Sequence, residues 1–186
     1  MDEPSHTSSV PPVLDQLDTD RLRLEPLEPR HAELLFDGLR DDRLYEFTDD
    51  DAPASVEALR ARYEILARRQ SPDGRQAWLN WAVWSSPERR YLGYVQATIT
   101  ASRRAFVAYV LFRDAWGRGY AGEAVERVVR YLREQLGCDE VAARVDVRNR
   151  RSIALLRRLG FERVAPGTAP GVPDDATDGD AEYRLR

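Results

Sequence analysis

The sequence predicts an α+β (mixed α/β) domain, and three observations carry that expectation. Segments with apolar residues at helical spacing are interleaved with runs rich in aromatic and β-branched residues. Two of the helical segments stop at glycines, Gly137 and Gly160, as a left-handed C-terminal residue requires. At 186 residues, 42% hydrophobic and 32% charged, the chain is long and apolar enough for one domain with its own core.

Met1 to Leu14 is polar and carries Pro4, Pro11 and Pro12, which predicts a mobile leader ahead of a single domain over 15–186. Arg21 to Glu25 alternates polar and apolar residues, the pattern of a half-buried strand. Pro29 suits the first position of a helix whose Leu35 and Leu39 give it an apolar face. Tyr45 to Pro53, with Asp49, Asp50 and Asp51, interrupts that pattern. Ser55 then caps a second helix carrying Val56, Leu59, Tyr63 and Leu66.

After Ser71-Pro72-Asp73-Gly74 the period changes. Trp78 to Trp84, Tyr91 to Thr100 and Ala105 to Phe112 read as three strands, the first two joined through Ser85 to Arg90. A helix over Ala121 to Leu136 presents Val125, Val128, Val129, Leu132 and Leu136 on one side. Val141, Val145 and Val147 mark a strand, Ile153 to Leu159 a short helix, and Phe161–Ala165 and Glu182–Leu185 two last strands. Pro166 to Asp180 reads as a long mobile loop.

Composition narrows the function classes. A net charge of -4 and a pI near 5.4 argue against nucleic acid as a partner. All 28 basic residues are arginine, a side chain suited to forked anion contacts. Cys138 is the only cysteine, so no internal disulfide or cysteine metal cluster forms. His6 and His31 cannot make a metal site by themselves, and no metal is expected. Without a spanning apolar run or a signal-peptide pattern, no membrane association is expected and the location is read as cytoplasmic.

The chemistry concentrates at Trp116-Gly117-Arg118-Gly119-Tyr120-Ala121-Gly122, where a strand passes through a glycine-rich turn into a helix. The first backbone N–H groups of a helix lack internal partners, and the helix dipole adds partial positive charge. Glycine and alanine let a phosphate approach that main chain. Alone, the segment reads equally as an anion cradle or as a tight connection without a ligand. It is not a P-loop, lacking Gly-Lys-Ser/Thr. Gly117, Gly119 and Gly122 do stand at G-x-G-x-x-G spacing. Glycines alone do not make a dinucleotide fingerprint, which also needs a later acidic ribose ligand, and it is set aside.

A second segment separates those readings. Asn149 to Phe161 runs asparagine, short helix, Gly-Phe, and with the turn it resembles the GCN5-related N-acetyltransferase superfamily, chiefly its ribosomal-protein N-acetyltransferase-like branch. In that family the turn binds the coenzyme A pyrophosphate, with Trp116, Gly119 and Ala121 here at its signature places. The resemblance implies a mostly antiparallel central sheet with splayed middle strands, flanked by helices. It implies acetyl-CoA as co-substrate, with pantetheine pairing near Val110 and Leu111 and reached by Asn149. Asn149 also reads as the cap of the helix behind it. Arg118, Arg148, Arg150 and Arg151 are candidates for the outer phosphates, or solvated surface.

The resemblance further implies acetyl transfer to a primary amine of a small molecule or of a peptide or protein N-terminus, by direct attack in a ternary complex. A homodimer is consistent with family habit. The family's tyrosine acid has no counterpart, its place being taken by Leu156, so Ser152 is the candidate for protonating the leaving thiolate. Glu46, Asp49 and Asp146 are candidates for the general base, as is a water chain. The alternative is a catalytically silent acyl-CoA-binding or sensing domain.

Overall fold

The computed structural model of the chain describes residues 14–165 and 179–185. Eight strands form one sheet: β1 (Leu17–Asp18), β2 (Leu22–Pro26), β3 (Gln76–Ser85), β4 (Arg90–Thr100), β5 (Arg104–Leu111), β6 (Glu140–Asp146), β7 (Glu162–Arg163) and β8 (Asp180–Leu185). Their order across the sheet is β1-β2-β3-β4-β5-β6-β8-β7, and every pairing is antiparallel except β5 with β6. The mixed α/β class expected from the sequence is the class observed.

Alternation along the strands sets two layers. Leu79, Trp81, Val83, Val95, Ala97, Ala105 and Val107 are buried on one face against α3 (Tyr120–Glu134), which contributes Val125, Val128, Val129 and Leu132. Each of these valines and leucines contributes about 1.5–3 kcal/mol on burial. On the other face Ala82 and Tyr94 pack against α1 (His31–Leu39) and α2 (Val56–Leu66) through Leu35, Leu39, Leu59 and Tyr63. α4 (Arg150–Arg158) adds Leu156 to the α3 side.

The punctuation works as its chemistry requires. Ser55 accepts from the Ala58 N–H at 3.1 Å and caps α2. Gly137 takes φ 61° while Cys138 N–H returns to the Leu132 carbonyl at 2.8 Å, closing α3.

Several boundaries differ from expectation. Leu14, assigned to the leader, is buried in the main core, so the packed domain includes it; residues 1–13 lie outside the described residues. Pro29 sits in the turn before α1, where its carbonyl accepts from Ala32 N–H, and the helix starts at His31. β6 stops at Asp146, because that carboxylate takes the Arg148 N–H and turns the chain; Val147 is left exposed. Of the expected loop Pro166 to Asp180, residues 166–178 lie outside the described residues, while Asp180 opens β8.

Candidate coenzyme and acceptor site

β5 and β6 pair over only three positions, Arg104↔Glu140, Ala105↔Val141 and Phe106↔Ala142. Beyond Phe106 they separate. β5 stays paired with β4 as far as Leu111, and β6 with β8 as far as Asp146. The result is a notch in the middle of the sheet, whose open end leads to the glycine-rich turn. This is the splay that the resemblance implies.

At the turn, Gly117 takes φ 73° and Gly119 φ 83°, conformations that cost a side-chain-bearing residue dearly. Gly119 is the residue preceding α3. Glu123 N–H is the first to bond back, to the Gly119 carbonyl at 3.1 Å. The backbone N–H groups from Gly117 to Gly122 therefore donate to no group among the described residues. Cβ atoms added at Gly117 or Gly122 would meet nothing within 4 Å. A run of free N–H groups, a helix N-terminus and open space above it suit a pyrophosphate.

The turn is anchored from below. Tyr120 is buried under Arg21, which forms an ion pair with Glu123 at 2.6 Å. The Trp116 indole N–H donates to the Leu111 carbonyl at 2.7 Å, so that carbonyl is already occupied. The arginine candidates separate by their partners. Arg118 is bound to Glu88 at 2.6 Å, whereas the Arg151 guanidinium lies 4.8 Å from the centre of the exposed Trp116 ring, with no ion pair among the described residues.

Across the notch, Asn149 Oδ1 accepts from Ser152 N–H at 3.1 Å, capping α4. Ser152 Oγ lies 2.8 Å from the Tyr109 hydroxyl on β5. Burial raises the Tyr109 pKa, partly offset by the bond to Ser152, so the phenol keeps its proton at neutral pH.

Residues 21–162 match the family model described as the acetyltransferase (GNAT) domain. The chain belongs to the GNAT acetyltransferase family. As a GNAT domain it is an N-acetyltransferase. It is 27% identical over 150 residues to the uncharacterized N-acetyltransferase YoaA of Bacillus subtilis, covering 79% of this chain and 82% of that one. The fold is shared with the ribosomal-protein-S5-alanine acetyltransferase of Vibrio fischeri, at TM-score 0.75 and 16% identity over 92% and 96% of the two chains. It is also shared with the Vibrio cholerae spermidine N-acetyltransferase in complex with CoA and spermine, at TM-score 0.71 and 15% identity over 90% and 96%.

Within this GNAT frame the candidate bases gather at one rim of the notch. Asp180 pairs with Asp146 across β8 and β6. Burial raises the Asp180 pKa, with the charges of Asp146 and Asp49 adding to the effect. Asp146 is held low by the hydrogen bond from Arg148, whose guanidinium bonds both carboxylate oxygens. The same guanidinium lies 5.8 Å from the Phe47 ring, tying the loop after α1 to the end of β6, and it feels the charge of the exposed Glu46. Leu156, at the place of the family's tyrosine, is buried core.

Two residues escaped the sequence reading. Tyr109 was only one member of an apolar strand, and its partner stands 43 residues away. Asp180 was placed in a loop. Strand alternation puts Tyr109 on the same face as Val107 and Leu111, which points it at α3 and α4, but nothing in the sequence sets the distance to Ser152.

Proposed function

We propose that the chain is an acetyl-CoA-dependent N-acetyltransferase acting on a primary amine of a small molecule or of a peptide or protein N-terminus. The observation that carries this reading is the run of unpartnered N–H groups from Gly117 to Gly122 at the mouth of the β5–β6 notch. The cradle takes the pyrophosphate, with Arg151 beside it for an outer phosphate. Asn149 and the unpaired edge of β5 near Val110 and Leu111 hold the pantetheine arm. Acetyl-CoA supplies an acetyl group activated as a thioester.

The chain's own residues then orient and move protons. A main-chain N–H near Val110 or Leu111 stabilises charge developing on the acetyl oxygen. Ser152 Oγ, hydrogen-bonded to the protonated Tyr109, delivers a proton to the departing sulfur, and Tyr109 replenishes it. Holding amine and thioester side by side supplies much of the acceleration. The rim of Glu46, Asp49, Asp146 and Asp180 attracts a cationic amine. Asp180, with its raised pKa, is better suited to accept the amine proton than Asp146, which Arg148 holds ionised. The acetyltransferase family gives no support to a catalytically silent acyl-CoA-binding domain.

The test is a thermal shift with acetyl-CoA, followed by coenzyme A thiol release on adding amines. Acetyl-CoA at about 100 times Kd adds about 2.7 kcal/mol, a rise of roughly 5–10 °C for a domain of this size. No shift at saturation overturns the coenzyme reading.

A further inference from the structure

Under the loop that joins α1 to α2, on the face of the sheet away from α3, lies a cavity of about 60 Å³. That is room for about four water-sized groups. Its walls combine Leu39 and Leu59 with Tyr45, Tyr63, Tyr94 and Gln96. The cavity adjoins the notch, since Tyr94 lies opposite Val110 across β4 and β5 and Val110 packs on the same apolar cluster.

One buried donor on the cavity wall, at Tyr63, and one beside the cavity, at Asn80, have no partner among the described residues. Tyr63 is 2% exposed and Asn80 5%, and neither the Tyr63 hydroxyl nor Asn80 Nδ2 meets a hydrogen-bonding group among the described residues. Asn80 stands opposite Gln96, itself a wall of the cavity. Burying such groups unpaired costs about 1–3 kcal/mol each, so the fold retains them against its own stability. The Tyr45 hydroxyl, by contrast, is spent on the Leu39 carbonyl at 2.9 Å.

We infer that this cavity receives the body of the acceptor, and that the acceptor is an amine bearing a neutral carbonyl on a compact apolar frame. The inference rests on the acetyl-transfer reading above. Unpaired donors call for an acceptor oxygen. The wall carries Arg62 and Asp51 together, and Arg62 is also held by both carboxylate oxygens of Asp50 at 3.3 Å. The cavity therefore offers no unbalanced charge to a second ammonium, as in a polyamine, or to a full carboxylate.

L-Valinamide and isobutylamine share an apolar frame and differ by the carboxamide. Each is assayed with the full chain and its Tyr63→Phe variant by thiol release from acetyl-CoA. Because each amine is compared with itself between the two proteins, their different basicities cancel. Tyr63→Phe lowers kcat/KM for valinamide about fivefold, leaves isobutylamine within about twofold, and does not lower Tm. Equal effects on both amines, or none, overturn the inference, as does turnover of neither amine while acetyl-CoA still shifts Tm. Absence of that shift instead overturns the coenzyme reading, and this inference with it.

Discussion

The Tyr109 hydroxyl and Ser152 Oγ, 2.8 Å apart, are the one side-chain hydrogen bond described between β5 and α4. It crosses the notch where the sheet's middle strands part, and it unites two groups that neither element could place alone. If Ser152 passes a proton to the leaving sulfur, Tyr109 is the group behind it. Tyr109→Phe keeps the ring and removes the relay. Rates of thiol release should fall about tenfold in kcat, by loss of one proton-transfer partner, with the acetyl-CoA Kd nearly unchanged. Ser152→Ala should fall similarly, and the double variant no further than the worse single one. Additive losses would show the two acting independently.

Gly122 separates ligand binding from folding. It lies in the first turn of α3 with open space at its Cβ and without a positive φ. Gly122→Ala should therefore stabilise the free protein by up to about 1 kcal/mol, through better helix propensity. It should also weaken acetyl-CoA binding, because a methyl then stands where the phosphates approach. Thermal melts without and with acetyl-CoA read both effects. A higher Tm with unchanged coenzyme affinity would place the phosphates elsewhere.

His31 sets a pH window for stability. Its side chain is fully buried, Nδ1 accepts the Glu28 N–H at 2.9 Å, and Nε2 faces Glu25 at 3.3 Å. Burial lowers its pKa, with the bond to Glu25 opposing. The unfolded chain thus binds a proton near pH 6.5 that the folded chain still refuses. Stability should hold above about pH 7 and decline as pH falls through about 6.5 toward the folded pKa. Glu25 is itself held low despite burial, by Tyr91, His31 and Arg23, so its own loss begins only at more acid pH. Melts of the wild type and His31→Gln between pH 8 and 5 test this, and the variant should lack the decline.

Arg148 links the candidate base region to the loop between α1 and α2. Arg148→Ala removes the guanidinium from Asp146 and from the Phe47 ring, while the backbone N–H of residue 148 still bonds Asp146 Oδ1. The Asp146 pKa should rise toward the ordinary carboxylate range, visible by carbon-detected NMR titration. KM for the amine should increase severalfold as the loop at Phe47 loosens, while acetyl-CoA affinity stays the same. A change in coenzyme affinity alone would argue that Arg148 serves the phosphates.

Local chemistry made much of this legible. Ser55, Gly137 and Gly160 act through their nearest neighbours along the chain, and the stripe of Val125, Val128, Val129 and Leu132 needs only a sheet to cover it. The turn from Trp116 to Gly122 announces itself because its glycines and its helix are contiguous. What stayed hidden depends on tertiary distance. Tyr109 and Ser152 meet only because α3 folds back between them, and Asp180 reaches Asp146 only once β8 pairs with β6. Arg118 and Arg151 look alike in sequence, and only Glu88 distinguishes the committed one from the other.

The three-position seam between β5 and β6 has a mechanical meaning. The sheet's hydrogen-bonded continuity from its first half to β6, β8 and β7 runs through Phe106 and Ala142 alone at its inner end. An amide-bearing chain laid along the parted edges would act as an extra, removable strand, splicing the two halves. Occupancy would then be felt as stiffness: amide protons of Ala143 to Asp146 and of Val107 to Leu111 would exchange more slowly together, from both sides of one gap.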